Sequence, residues 1–252
     1  MTPVGISATI FVCVFGGALA GVGLRAVLPP HHLNQESKEV VKLSMGLVAT
    51  MTALVLGLLV ASAKESYDTQ GRELTDLSSR IVMLDRVLAH YGPETQTARD
   101  RFRNVVTSML THLEADGESS APDAQGPAAN NELPFDLIQR LVPKDERQRT
   151  LQMRALTMAL VLGEERWLMY EQGVETYLRP LLIIVVAWLA VIFMSFGLYA
   201  PPNPVVTSAL GIASLTVSTA MFLILEMYTP YSGIVRLSVA PLRSALAHLG
   251  LP

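Results

Sequence analysis

Few residues in this chain have side chains suited to chemistry, so their spacing carries the reading. There is no Gly-rich phosphate loop ending in Lys, no paired-His zinc helix and no nucleophile elbow. His31 and His32 form the only histidine pair. Neighbouring residues on a helix point about 100° apart, so this pair makes a poor metal clamp. It reads either as a polar pair at a turn after Pro29-Pro30 or as a pH-sensitive group at a pore mouth, since imidazole titrates near neutrality. The single cysteine, Cys13, excludes an intramolecular disulfide and any Cys-based metal cluster. It lies in an apolar run and reads as a small buried or lipid-facing side chain. No metal and no cofactor is expected.

The more informative pattern is one of small residues. Gly46, Thr50, Ala53, Gly57 and Ala61 recur at spacings of four, three, four and four, and so share one helix face. Lys64 extends that stripe by three, just past the apolar run. Leu47, Leu54, Leu58 and Val55 lie away from it. A small-residue stripe lets helices approach closely. In an oligomer the same stripe would line a narrow pore, with Lys64 repeated as a positive ring that favours anions. Further on, Thr207, Gly211, Ser214 and Ser218 share a face, with Thr216 and Thr219 nearby. These hydroxyls either bond back to helix carbonyls and across to other helices, or form a hydrated conduction surface. Glu226 follows at once, and with Lys64 it is a candidate pore-mouth charge. Gly16, Gly17 and Gly21 add a third small face. Trp188, Phe193 and Phe196 suggest that another segment faces lipid.

Such residues need helices in a membrane to position them. The chain has 252 residues, 50% hydrophobic and 16% charged, where a soluble domain carries about 25% charged residues. Residues 64–179 hold 33 of the 41 charges, so long charge-free stretches remain elsewhere. A water-soluble monomer is excluded. Four stretches, about 4–24, 43–63, 181–198 and 205–225, are long and apolar enough to span a bilayer. Backbone polar groups in hydrocarbon must be bonded within the segment, so each stretch reads as a helix. No Lys or Arg precedes the first, which is therefore read as a retained span rather than a cleaved signal. The net charge of −3, with both signs mixed, gives no basic face for nucleic acid.

The charged insert also reads as helical. Leu74, Leu77, Ile81, Leu84 and Leu88 alternate by three and four, an amphipathic stripe continuing out of the second span. It stops at Tyr91-Gly92-Pro93. Phe102, Val105, Met109, Leu110 and Leu113 mark a second helix. Residues 115–131 are small, polar and broken by Pro and Gly, and read as a flexible loop. A helical pattern resumes near Pro134, and from Asp145 it runs through Leu151, Ala155, Met158, Leu162 and Trp167. The expected organisation is an all-α membrane protein. Residues 1–63 carry two spans, 64–179 a soluble helical domain, and 180–252 two more spans and a tail. The charge-free loop from Tyr199 to Pro204 is most easily placed outside, which puts the helical domain and the tail in the cytoplasm at the cost of leaving Arg25, Lys38 and Lys42 outside; the inverted topology is the alternative.

The run HHLNQESKEVVKLSMGLVATMTALVLGLLVASAKESYDTQ, from His31 to Gln70, resembles the signature block of the bestrophin-like family of bacterial membrane proteins. Leu225 to Ser238, LEMYTPYSGIVRLS, resembles its second block, an acidic residue followed by a Pro-aromatic-x-Gly turn. More distantly, the layout of two spans, a helical insert and two spans resembles the bestrophin anion channels. That resemblance implies a homo-oligomer, pentameric by analogy, in the bacterial inner membrane. It also implies a pore lined by the second span at Gly46, Thr50, Ala53 and Gly57, passing small anions by way of Lys64. The second span has no aromatic residue to form a neck ring. No dense acidic run follows the fourth span, so calcium gating is not implied.

Two functions compete at this level. One is an oligomeric channel for small anions such as chloride. The other is a non-conducting membrane scaffold or signalling protein that binds a partner through the Leu74 to Leu88 stripe. An enzyme is not expected, because the spans contain no acidic or His residue.

Overall fold

A computed structural model describes residues 3–29, 35–115, 133–171, 178–201, 203–229, 231 and 233–249. His31, His32 and residues 116–131 of the expected loop lie outside them. The described residues form helices and no strand. In chain order these are α1 (Pro3–Val27), α2 (Gln35–Tyr91), α3 (Gln96–Ala115), α4 (Leu133–Gln139), α5 (Glu146–Glu171), α6 (Leu178–Tyr199), α7 (Pro204–Met227) and α8 (Ala240–His248). The four expected spans fall in α1, α2, α6 and α7, each long and apolar enough to cross a membrane. Ala115 is the last residue of α3 rather than part of a loop. The contacts divide the chain into one unit of residues 1–66 and 174–229 and another of 67–173 and 230–252.

In the first unit, glycines set the geometry. A Cβ added at Gly17 would lie 2.7 Å from the Ala190 carbonyl oxygen. One at Gly21 would lie 2.9 Å from the Leu198 nitrogen, and one at Gly197 would lie 3.0 Å from the Val22 nitrogen. Here α1 and α6 meet backbone to backbone, the small-residue mode of packing in lipid. Around this contact Ile10, Val14 and Ala18 pack with Val185, Leu189 and Phe193 of α6, Met221 and Ile224 of α7, and Leu59 and Ala63 of α2. The expectation that the third span faces lipid is thereby corrected. Phe196 is exposed, Trp188 is half-buried, and Phe193 is buried against α1 and its neighbours. The α7 start is capped by Asn203, whose side-chain oxygen accepts from Val205 N at 3.0 Å, with Pro204 in the first turn. The Arg25 guanidinium donates to the Ala200 carbonyl just beyond α6.

In the second unit, Leu74, Leu77, Ile81, Leu84 and Leu88 are all buried. They pack with Phe102, Val106 and Leu110 of α3, Ile138 of α4, and Ala155 and Leu162 of α5. Inside that core Asp85 takes two hydrogen bonds from Arg99, at 2.8 and 2.9 Å. The stop after Tyr91 has a local cause. Gly92 sits at φ 138°, a conformation side chains disfavour, and Thr95 turns its hydroxyl back onto the Leu88 carbonyl at 2.7 Å. The C-terminal segment, expected to go with the last two spans, groups instead with this unit. Its residues Leu242, Ala245 and Leu249 complete the same apolar core.

Gly21→Val should strip α1 from α6 and lower the unfolding temperature in detergent. Gly16→Val, where an added Cβ meets nothing within 4 Å, should leave it unchanged. Leu84→Ala in the second unit should cost about 2–5 kcal/mol, read as loss of helical signal at lower denaturant.

Candidate functional site

The small-residue stripe of α2 is where sequence and structure can be compared most closely. Gly46, Thr50, Ala53, Gly57 and Ala61 are all exposed in this chain, and so is Lys64. A Cβ added at Gly46 or Gly57 meets nothing within 4 Å. The stripe is therefore not packed against another helix of this chain among the described residues.

The face of α2 that does pack is another. Thr52, Leu59 and Ala63 are buried, with Val55 and Leu56 packed against the same cluster. At 100° per residue these positions centre on the side of the helix opposite to the stripe. Leu47, Leu54 and Leu58 also lie apart from the packed face and are exposed. The buried face carries polar groups that need partners. Thr52 bonds back to the Val48 carbonyl at 2.7 Å. Tyr228, just after α7, donates its hydroxyl to Ser62 at 3.0 Å and pins the two helices together at that end.

The hydroxyls of α7 divide in the same way. Ser214 is fully buried and bonds back to Leu210 O at 2.8 Å. Ser218, also buried, donates to the Ser7 carbonyl of α1 at 2.6 Å. Thr216 and Thr219 are exposed, each bonded to the carbonyl four residues before it. Thr207 is half-buried at a long 3.5 Å from the Asn203 carbonyl. The shared face of Gly211, Ser214 and Ser218 is thus a contact with α1, with Phe15 against Gly211. The hydrated-surface reading of that face is corrected accordingly.

Glu226 is 1% exposed, at the end of α7. Of the two candidate pore-mouth charges, Lys64 is the one that faces outward in this chain. Among the described residues no group of three or more His, Cys, Asp or Glu could hold a metal. Sequence reasoning missed the packed face of α2 and the Tyr228–Ser62 bond. Thr52, three residues before Val55 and seven before Leu59, and Ser62, three after Leu59 and seven after Val55, are the hydroxyls that could have signalled that face.

Ser218→Ala should destabilise the α1–α7 contact by about 0.6–2 kcal/mol, the range for hydrogen bonds between membrane helices. Thr216→Val should not change stability. Unfolding of the two variants in mixed micelles checks the contrast.

The family model described as Bestrophin-like domain matches residues 12–242. No curated protein and no solved structure matches the chain.

Proposed function

The chain belongs to the bestrophin-like family, and on that premise we propose that it assembles with copies of itself around an ion-conducting pore lined by α2. The observation that carries this reading is the exposed stripe Gly46, Thr50, Ala53, Gly57 and Ala61, set opposite the packed face of its own helix. In lipid a bare stripe of this kind gains little, because tails cannot follow its contour as well as another helix can. Facing a shared axis, it leaves room for a narrow, largely apolar path. The exposed leucines Leu47, Leu54 and Leu58 are then left for neighbouring copies or for lipid.

Lys64 would repeat at one end of that path as a ring of positive charge. Such a ring concentrates anions and repels cations, so small anions such as chloride are the proposed cargo. Five copies is the number implied by analogy with bestrophin channels. The helical unit is proposed to lie in the cytoplasm and the spans in the bacterial inner membrane. Glu226, buried, supports α7 rather than acting as a second ring. The scaffold reading loses its docking surface, since Leu74, Leu77, Ile81, Leu84 and Leu88 are spent on the chain's own core.

Purified protein in liposomes should pass chloride. Lys64→Glu should lower the preference for chloride over potassium by at least about tenfold, the lower end of electrostatic focusing. Gly57→Cys in a Cys13→Ser background should be blocked by a small thiol reagent. Absence of flux from the parent protein under all conditions, or a Lys64→Glu variant with unchanged selectivity, would overturn the reading.

A further inference from the structure

Helix α5, in the helical unit, carries apolar residues on two faces. One face supplies the core: Ala155 and Leu162 are buried, and Leu151, Met158 and Ala159 pack beside them. At 100° per residue, Arg149, Met153, Thr157, Leu160 and Glu164 fall within an arc of about 80° on the opposite side. All five are exposed. Met153 and Leu160, seven residues apart, are 65% and 60% exposed. A single exposed apolar side chain is ordinary. Two at a heptad spacing, on a helix whose core face is already filled, form a seam of the kind by which helices pair. Residues 116–131, which lie outside the described residues, contain no Leu, Ile, Val, Met or aromatic residue. That stretch therefore has no large apolar side chain with which to cover the seam.

The charges at the two ends of the seam identify an occupant. Arg149 stands four residues before Met153, and Glu164 four residues after Leu160. Within the chain Arg149 lies 4.0 Å from Glu146, an exposed pair one turn apart and of little strength. The seam is thus positive at one end, negative at the other and apolar between. A second copy laid on it antiparallel, with a two-fold axis between Leu156 and Thr157, sets Met153 on the partner's Leu160 and Arg149 on the partner's Glu164. Two-fold symmetry makes each of these pairs twice. Parallel pairing in register would instead set Arg149 on Arg149 and Glu164 on Glu164, with like charges facing. Thr157, beside the axis, already donates its hydroxyl to the Met153 carbonyl at 3.0 Å, so it brings no unbonded proton to the seam.

We propose that this face of α5 joins two copies of the chain in an antiparallel, two-fold contact. The seam from Arg149 to Glu164 is about 22 Å long at 1.5 Å per residue, so the contact belongs to the small, transient class. It does not rest on the pore reading. Five is odd, so two-fold pairs cannot close a ring of five, and in that case the contact joins a copy in one assembly to a copy in another.

The test uses the full chain in liposomes, with Cys13, the only native cysteine, changed to Ser. Two differently tagged forms, Met153→Cys and Leu160→Cys, are reconstituted separately and together and oxidised mildly. Antiparallel pairing offsets identical positions by about 10 Å along the axis, beyond the reach of a disulfide. The mixed disulfide should therefore exceed either like disulfide by at least about tenfold. Arg149→Glu alone and Glu164→Arg alone should each lower the mixed yield by at least about threefold. The two changes together should restore it, because the charge pair is then reversed. Like disulfides as abundant as the mixed one overturn the antiparallel contact in favour of a parallel one. No disulfide in any combination gives the face to lipid or to another protein, and overturns the proposal. So do single reversals that leave the yield unchanged, or a double reversal that fails to restore it. None of these outcomes depends on whether the protein passes anions.

Discussion

Glycines at 17, 21 and 197 let α1 and α6 touch through their backbones, and the rest of the membrane unit is arranged around that contact. Hydrocarbon offers no hydrophobic drive between helices, so association depends on how closely backbones approach and on hydrogen bonds across the gap. With α6 seated in the glycine groove, α1 has its remaining surface free for α7. Ser218 then reaches the Ser7 carbonyl and Gly211 accepts the Phe15 ring. Helix α2 joins this group by a narrower edge, Leu59 and Ala63 with the Tyr228–Ser62 bond at one end. Its small-residue stripe is left facing outward as a result.

The helical unit is held by the opposite kind of force. It is read as lying in water, where Leu74, Leu77, Ile81, Leu84 and Leu88 gain by leaving solvent, each by about 1.5–3 kcal/mol when fully buried. One amphipathic stripe therefore collects α3, α4, α5 and α8 around it. Within that apolar setting a buried Asp85 is tolerable because Arg99 meets both its oxygens. Two regimes thus act on a single helix. In the membrane part of α2 the apolar residues are largely exposed and the small ones mark an open face. In the helical unit the apolar residues are the interior.

Much of this was legible from residues alone. The four spans, the stop at Gly92 and the inward stripe of the insert follow from local rules: apolar length, a glycine with Pro beside it, and a spacing of three and four. The small stripe of α2 was legible as a face, but its role was not, because close packing and an open axis ask for the same residues. Gly17 and Gly21 illustrate the difficulty. They look like Gly46 and Gly57 in the sequence, yet an added Cβ would strike α6 at the first pair and meets open space at the second. The hydroxyls of α7 posed the same question, and Ser214 and Ser218 proved to be contacts with other groups in the fold.

The sequence by itself determined an all-α membrane chain with a charged helical insert, because the cost of unbonded backbone in lipid and of exposed leucine in water does not depend on partners. Only the tertiary structure decided which helix faces are used up. It placed Phe193 inside, buried Glu226, sent the C-terminal helix to the helical unit and left the stripe Gly46, Thr50, Ala53, Gly57 and Ala61 bare. The physical reason is that a face is defined by what leans against it. That depends on how α1, α6 and α7 come together, which no single segment encodes.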